Sequence, residues 1–177
     1  MTYIVHDHLP MMVLLLKSLF MATRAESIAD KLLSEGKRTI EFFRQLDEAT
    51  WLKPVFHDGA MWNVRGIFEH LIEAERTLLK LFESVVAGGA GASPEFDIDR
   101  FNREHTGRLA ELSREHLHLR FEENRKSTSD FARGLSDEQL DCRGRHPALG
   151  DSSVEDMLKM IYLHNTMHVK DVKRTLV

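Results

Sequence analysis

His164 and His168 are the first residues to weigh for chemistry, because they lie four apart. On a helix that spacing projects both imidazoles from one face, one turn apart, so a single helix offers two nitrogen ligands to one metal. The same spacing occurs in HExxH zinc sites, but the residues between are Asn165, Thr166 and Met167, and the built-in glutamate base is missing. Both rings fall on the apolar stripe Val154, Met157, Leu158, Ile161 and Val172. His70 falls on a second stripe, Ile67, Leu71, Ala74, Leu78, Leu81 and Val85. Three imidazoles pointing into one interior would make a three-histidine site with an open fourth position, the pattern of a catalytic rather than a structural metal site. Neutral imidazole suits Zn, Ni, Cu or Fe and is a poor choice for Ca or Mg. The competing explanation is that these are hydrogen-bonded core histidines, since His is often buried without a metal. Against it stands the desolvation cost of three buried polar rings without partners.

Several polar residues accompany the three. Glu73 is three residues from His70 and is a candidate to orient a ligand ring or act as a base, against a plain carboxylate beside Arg76. Asn165 sits between the two paired histidines and is a candidate to hydrogen-bond a bound group, against a polar contact within the core. Asn102 and His105 lie on the inner side of a third helical region and are candidates to line a substrate pocket. His116 and His118 are two apart, point to different faces and make a poor ligand pair. His57 and His146 fall in loops and are expected to face solvent.

Four helical patterns must position these residues. The first covers residues 26–46, with Ile28, Leu32, Thr39, Ile40, Phe43 and Leu46 at helical spacing and Gly36 close to the stripe. Residues 47–62 break the pattern with Pro54, Asp58 and Gly59, while Trp51 and Trp62 read as loop residues tucked onto a core. Asn63 stands where an N-cap belongs, ahead of a helix over 64–86. A glycine-rich loop, 88–94, has no GK[ST] ending and is not a phosphate loop. The third helical region runs over 98–133, bent near Gly107, with its polar stretch 122–130 expected to project into solvent. Residues 134–152 read as irregular. Ser152 or Ser153 caps a last helix reaching Leu176, with Glu155 and Asp156 suiting its dipole. No segment shows convincing period-two alternation, so the expectation is an all-α four-helix bundle.

Composition narrows the function classes. The 177 residues fit one domain, read here as residues 21–177, and 42% hydrophobic with 29% charged residues is ordinary for a globular protein. Net charge is −4, without a block of clustered Lys and Arg, so nucleic acid is not an expected partner. The one cysteine, Cys142, has no disulfide or CxxC partner. That usage suits a reducing compartment, and the expected location is cytoplasmic. Cys142 reads as an incidental loop thiol despite its neighbours Arg143 and Arg145. Residues 1–20 read as an N-terminal extension. Their apolar run from Met11 to Leu16 is too short to span a bilayer, and His6, Asp7 and His8 do not make a basic signal region. Met21 would make an alternative start.

Three stretches carry a resemblance to a known family. Met61-Trp62-Asn63-Val64 leading through His70-Leu71-Ile72-Glu73 resembles the second-helix signature of the DinB/YfiT-like family. Leu163-His164-Asn165-Thr166-Met167-His168 resembles its HxxxH helix, and Phe96-Asp97-Ile98-Asp99-Arg100-Phe101-Asn102 resembles the start of its third helix. The likeness spans residues 26–176 in the right order. It implies an up-down-down-up bundle, a divalent metal such as Zn or Ni on His70, His164 and His168, and often a homodimer. Similar proteins include transferases that use a low-molecular-weight thiol such as bacillithiol or mycothiol, mycothiol-dependent maleylpyruvate isomerases, and proteins described as metal-dependent hydrolases. The chain departs from many relatives in its N-terminal extension and in Val169, where an extra His would follow His168. The expected function is therefore a metal-dependent enzyme, a thiol transferase or hydrolase. There the open metal position activates a thiol or water against an electrophilic small molecule. The alternatives are a metal-binding sensor whose fourth position is closed by a protein group, and a structural bundle with no metal.

Overall fold

The computed structural model describes residues 22–57, 60–105 and 107–176; the N-terminal extension and Met21 lie outside them. Among the described residues there are seven helices, of which four long ones form the bundle. Helix α1 (Arg24–Arg44) begins at a capping box, Thr23 with Glu26, and buries Ile28, Leu32, Ile40 and Phe43. A short α2 (Glu48–Trp51) and an antiparallel hairpin, β1 (Pro54–His57) with β2 (Ala60–Asn63), lead to α3 (Val64–Val86). Asn63 caps α3 by accepting from the Gly66 N–H at 2.7 Å. Then come α4 (Ile98–His105), α5 (Arg114–Arg133) and a short α6 (Asp137–Asp141). A second hairpin, β3 (Arg143–His146) with β4 (Gly150–Ser153), precedes α7 (Val154–Leu176). Ser153, one of the two expected caps, accepts from the Asp156 N–H.

Cross-helix contacts give the direction of each long helix. The end of α1 meets the start of α5 through Arg44 and Glu122, and its start meets the end of α5 through Asp30 and Arg133, so these two are antiparallel. Arg24 pairs with Glu155 at the two starts and Lys173 lies over the Phe42 ring near the two ends, so α1 and α7 are parallel. Phe68 stacks on Phe121 and Glu75 pairs with Arg125, which makes α3 and α5 parallel. The bundle is thus up-down-down-up, with α1 packed on α5 and α7, and α3 packed on the same two. Parallel neighbours cannot be joined by a short turn. The chain leaving α3 must travel back by roughly 30 Å, the length of a helix of this size. The segment 87–113, including α4, makes that return and supplies part of the cavity wall described below.

The apolar interior falls into two clusters. One gathers Ile28, Leu32, Phe82, Val85, Met157 and Ile161; the other gathers Ile40, Phe43, Phe68, Leu71, Phe121 and Val172. Between them on the four helices lie Gly36, Glu75, Arg125 and Asn165. Arg125 is 3% exposed and holds Glu75, 2% exposed, through two hydrogen bonds of 2.9 and 3.0 Å. Its Nη1 donates to the Leu32 carbonyl at 2.8 Å. Gly36 is what lets Arg125 in, because a Cβ there would stand 2.7 Å from the Arg125 Cγ.

Three expectations are corrected. The polar stretch 122–130 is not free of the bundle: Glu123, Lys126 and Asp130 face solvent, but Arg125, Thr128 and Ser129 are buried against α1, with Ser129 Oγ donating to the Ala29 carbonyl. The third helical region is two helices, with 107–113 outside both, where Gly107 takes φ +82° and Arg65 Nη2 donates to the carbonyls of Leu109, Ala110 and Leu112. The two irregular segments contain hairpins. Four-residue strands are too short for alternation to stand out in sequence.

Candidate metal centre

His70 reaches the bundle seam from the second turn of α3, and His164 and His168 reach it from consecutive turns of α7. Because α3 and α7 run antiparallel, the start of one faces the end of the other, which brings residues 94 apart in sequence together. His70 Nε2 lies 3.2 Å from His164 Nε2, and His168 Nε2 lies 2.9 Å from the same atom. One ligand atom from each ring falls within 4.8 Å of the other two. The rings meet edge to face, with centroids 4.5 to 5.0 Å apart. His168 is buried, while His70 and His164 are half-buried and border a cavity. Trp62 at the end of β2 meets the His70 ring edge-on, with centroids 5.4 Å apart.

These donors fit a small divalent ion. A tetrahedral ion with bonds of about 2.0–2.1 Å sets its ligand nitrogens roughly 3.3 Å apart, close to the separations here. Three neutral imidazoles can turn their lone pairs to one point only around a cation; otherwise two must present N–H groups. The donor set is all nitrogen, which favours a transition metal over Ca or Mg.

The other candidates separate. Glu73 is buried, and both its carboxylate oxygens accept from Arg76, at 2.8 and 3.2 Å; it is not part of the cluster of ligand atoms. Asn165 turns the opposite way. With its amide oriented to suit its neighbours, Oδ1 accepts from Arg125 Nη2 at 2.6 Å and Nδ2 donates to the Ile161 carbonyl at 3.1 Å. It belongs to the buried polar layer. Asn102 lines the cavity, whereas the His105 ring stacks on Phe101 at 3.8 Å, with its Nδ1 2.8 Å from the Phe101 carbonyl. His116 is exposed beside Ser113; His118 is buried against Trp51 and Phe68, and burial with nearby Arg114 and Arg44 lowers its pKa. Cys142 is half-buried at the end of α6.

The cavity beside His70 and His164 has a volume of about 210 Å³. Its walls are mostly apolar, from Leu78 and Leu81 of α3, Phe96 and Phe101 of the return segment, and Met160 of α7. The tip of the β3–β4 hairpin closes one side with His146, Pro147 and Ala148. His146 is therefore a correction: it is 3% exposed rather than facing solvent. The residues that could have signalled this are Pro147 and Gly150, a turn pair that folds the chain back at His146.

A family model for the DinB superfamily matches residues 24–172. The chain belongs to the DinB superfamily. Solved structures share the fold at low identity. YfiT from Bacillus subtilis, described as a probable metal-dependent hydrolase with an unusual four-helix bundle topology, is 16% identical with a TM-score of 0.63, over 85% of this chain and 83% of that one. An uncharacterised protein from Clostridium difficile 630 is 16% identical with a TM-score of 0.66, over 87% and 96%. The mycothiol-dependent maleylpyruvate isomerase is 18% identical with a TM-score of 0.61, over 86% of this DinB chain but only 63% of the isomerase. No curated protein matches the sequence. Among the described residues no helix is long and apolar enough to cross a membrane.

Proposed function

We propose that this DinB protein is a divalent-metal-dependent enzyme in which His70, His164 and His168 hold one Zn or Ni ion beside a small-molecule cavity. The observation that carries the reading is the meeting of three Nε2 atoms at the mouth of an apolar cavity. A bound ion would supply Lewis acidity, lowering the pKa of a thiol or water so that a nucleophile forms near neutral pH. The protein's part is to orient and to exclude water. Trp62 and the buried surroundings of His168 fix the rings, and the walls from α3, α4 and the hairpin tip hold an electrophilic small molecule beside them. Glu73 is engaged by Arg76 and Asn165 by Arg125, so neither stands ready as a general base. This favours a nucleophile activated by coordination, as in transfer of a low-molecular-weight thiol such as bacillithiol or mycothiol; hydrolysis differs in having water as the nucleophile.

Metal content decides the first step. Untagged protein analysed by mass spectrometry should carry about one Zn or Ni per chain, and a His164→Ala/His168→Ala variant should lose it. Full-length protein that takes up no stoichiometric Zn or Ni on incubation would end the enzyme reading. With the metal present, turnover of electrophiles with thiol against turnover without it separates transferase from hydrolase.

A further inference from the structure

His146 is the polar group of the cavity wall whose bonding is incomplete. Its Nδ1 accepts from the backbone N–H groups of Ala148 and Leu149, at 3.1 and 3.2 Å. An imidazole nitrogen that accepts two N–H bonds carries no hydrogen, so in the neutral ring the hydrogen sits on Nε2. Burial holds the His146 pKa down to about 4, which keeps the ring neutral at physiological pH. The backbone thus fixes both the tautomer and the plane of the ring, and Phe82 packs along it with centroids 6.3 Å apart. Nε2 is shielded from solvent and has no hydrogen-bond partner among the described residues. Buried polar atoms without partners are uncommon in proteins and call for an explanation, and unlike Trp51 Nε1 and His118 Nε2, which share that state in the apolar core, the His146 ring borders a cavity.

The cavity it borders narrows the ligand. Besides His70 and His164, its other polar residues are Thr77 and Asn102, and among the described residues no Lys, Arg, Asp or Glu lines it. Away from the ion that His70, His164 and His168 would hold, a carboxylate or phosphate would find no cationic side chain there; at the His146 end of the cavity a neutral oxygen acceptor on an apolar body would lose little on entry. We propose that His146 contacts the substrate, its Nε2–H donating to a neutral carbonyl-type oxygen of an otherwise apolar small molecule held beside His70 and His164. This rests on reading the histidine-lined cavity as the substrate site, and it makes the electrophile a carbonyl compound whose oxygen His146 orients. Because Nε2 is shielded from the cavity as well as from bulk solvent, its contact with the ligand requires the hairpin tip to shift.

Two substitutions divide the roles of the ring. In His146→Asn the amide oxygen can still accept from the 148 and 149 N–H groups, as in an Asx turn, while no donor reaches the position of Nε2. In His146→Gln an amide N–H comes back to that position. The probes are acetophenone and ethylbenzene, alike in size and differing in the acceptor oxygen, titrated into zinc-supplemented protein labelled with ¹⁵N-histidine. The expected result is a preference for the ketone of about tenfold in the wild type, the worth of one net hydrogen bond. It should fall to near one in His146→Asn and recover in part in His146→Gln. The His146 Nε2 resonance should move with the ketone and not with the hydrocarbon. An undiminished ketone preference in His146→Asn, a ketone that binds without moving that resonance, or a ketone that does not bind at all would overturn the proposal. If His146→Asn fails to fold, the wild-type resonance decides. Zinc content is read on the same samples. Full zinc with no His146 effect sinks this inference alone, and a His146-dependent preference in protein that holds no zinc sinks the enzyme reading alone.

Discussion

His146 and the three clustered histidines put one side chain to opposite uses. His70, His164 and His168 turn Nε2 toward one another, while His146 turns Nδ1 to the backbone and keeps its ring neutral by burial. The second arrangement has a measurable consequence. In the unfolded chain a histidine binds its proton near pH 6.5, and His146 in the fold does so only near 4. Between these values the unfolded state binds the extra proton, so stability rises with pH. The stabilisation is complete above about pH 6.5 and is lost progressively as pH falls to about 4, up to about 3 kcal/mol. Urea unfolding from about pH 7 to about pH 4 should show this slope in the wild type and a flatter one in His146→Asn. At this scale the spacing rule placed His164 and His168 on one face and the apolar stripe placed His70 on another, because helical periodicity encodes direction. For His146 the turn residues Pro147 and Gly150 signal a fold-back but not what covers the ring. Its surroundings come from a hairpin whose strands are four residues long and from a loop more than fifty residues earlier in the chain.

Among the elements, α5 departs most from its sequence. Its polar run looks solvated, yet it lies against α1 because Arg125 finds a buried carboxylate and Gly36 leaves room for it. No local pattern announces that Glu75, fifty residues away, will be its partner. The other long helices were legible in type and nearly so in extent, with Asn63 and Ser153 marking two of their starts; the first helix was read from residue 26, whereas Thr23 caps it. Gly36→Ala tests the close approach. In a free helix this change stabilises by about 1 kcal/mol. Here the added methyl would meet Arg125 at 2.7 Å, with its guanidinium already fixed by Glu75, so a net loss of about 1–3 kcal/mol is expected in the urea midpoint.

For the whole molecule, the buried Arg125–Glu75 pair separates two apolar clusters and ties all four long helices at one level, through the Leu32 carbonyl on α1 and Asn165 on α7. Removing one partner leaves an uncompensated buried charge. Glu75→Gln should therefore cost about 3–5 kcal/mol, and the double variant Glu75→Leu/Arg125→Met should cost much less than two such losses. Chemical denaturation of Glu75→Leu, Arg125→Met and the double variant measures the coupling. The bundle class was evident from four helical patterns, but the direction of each helix is a property of cross-helix pairs that no single segment contains.

The glycine-rich loop and the β3–β4 hairpin are joined by backbone hydrogen bonds. Ala92 N–H donates to the Arg145 carbonyl at 2.8 Å, Arg145 N–H donates to the Ala90 carbonyl at 2.9 Å, and a Cβ on Gly91 would stand 2.4 Å from the Arg145 nitrogen. Neither amide can meet deuterated solvent unless the two segments part, so Ala92 and Arg145 should show one shared opening free energy in hydrogen exchange. That free energy gives the fraction of time for which this side of the cavity stands open to a passage between the loop and the hairpin.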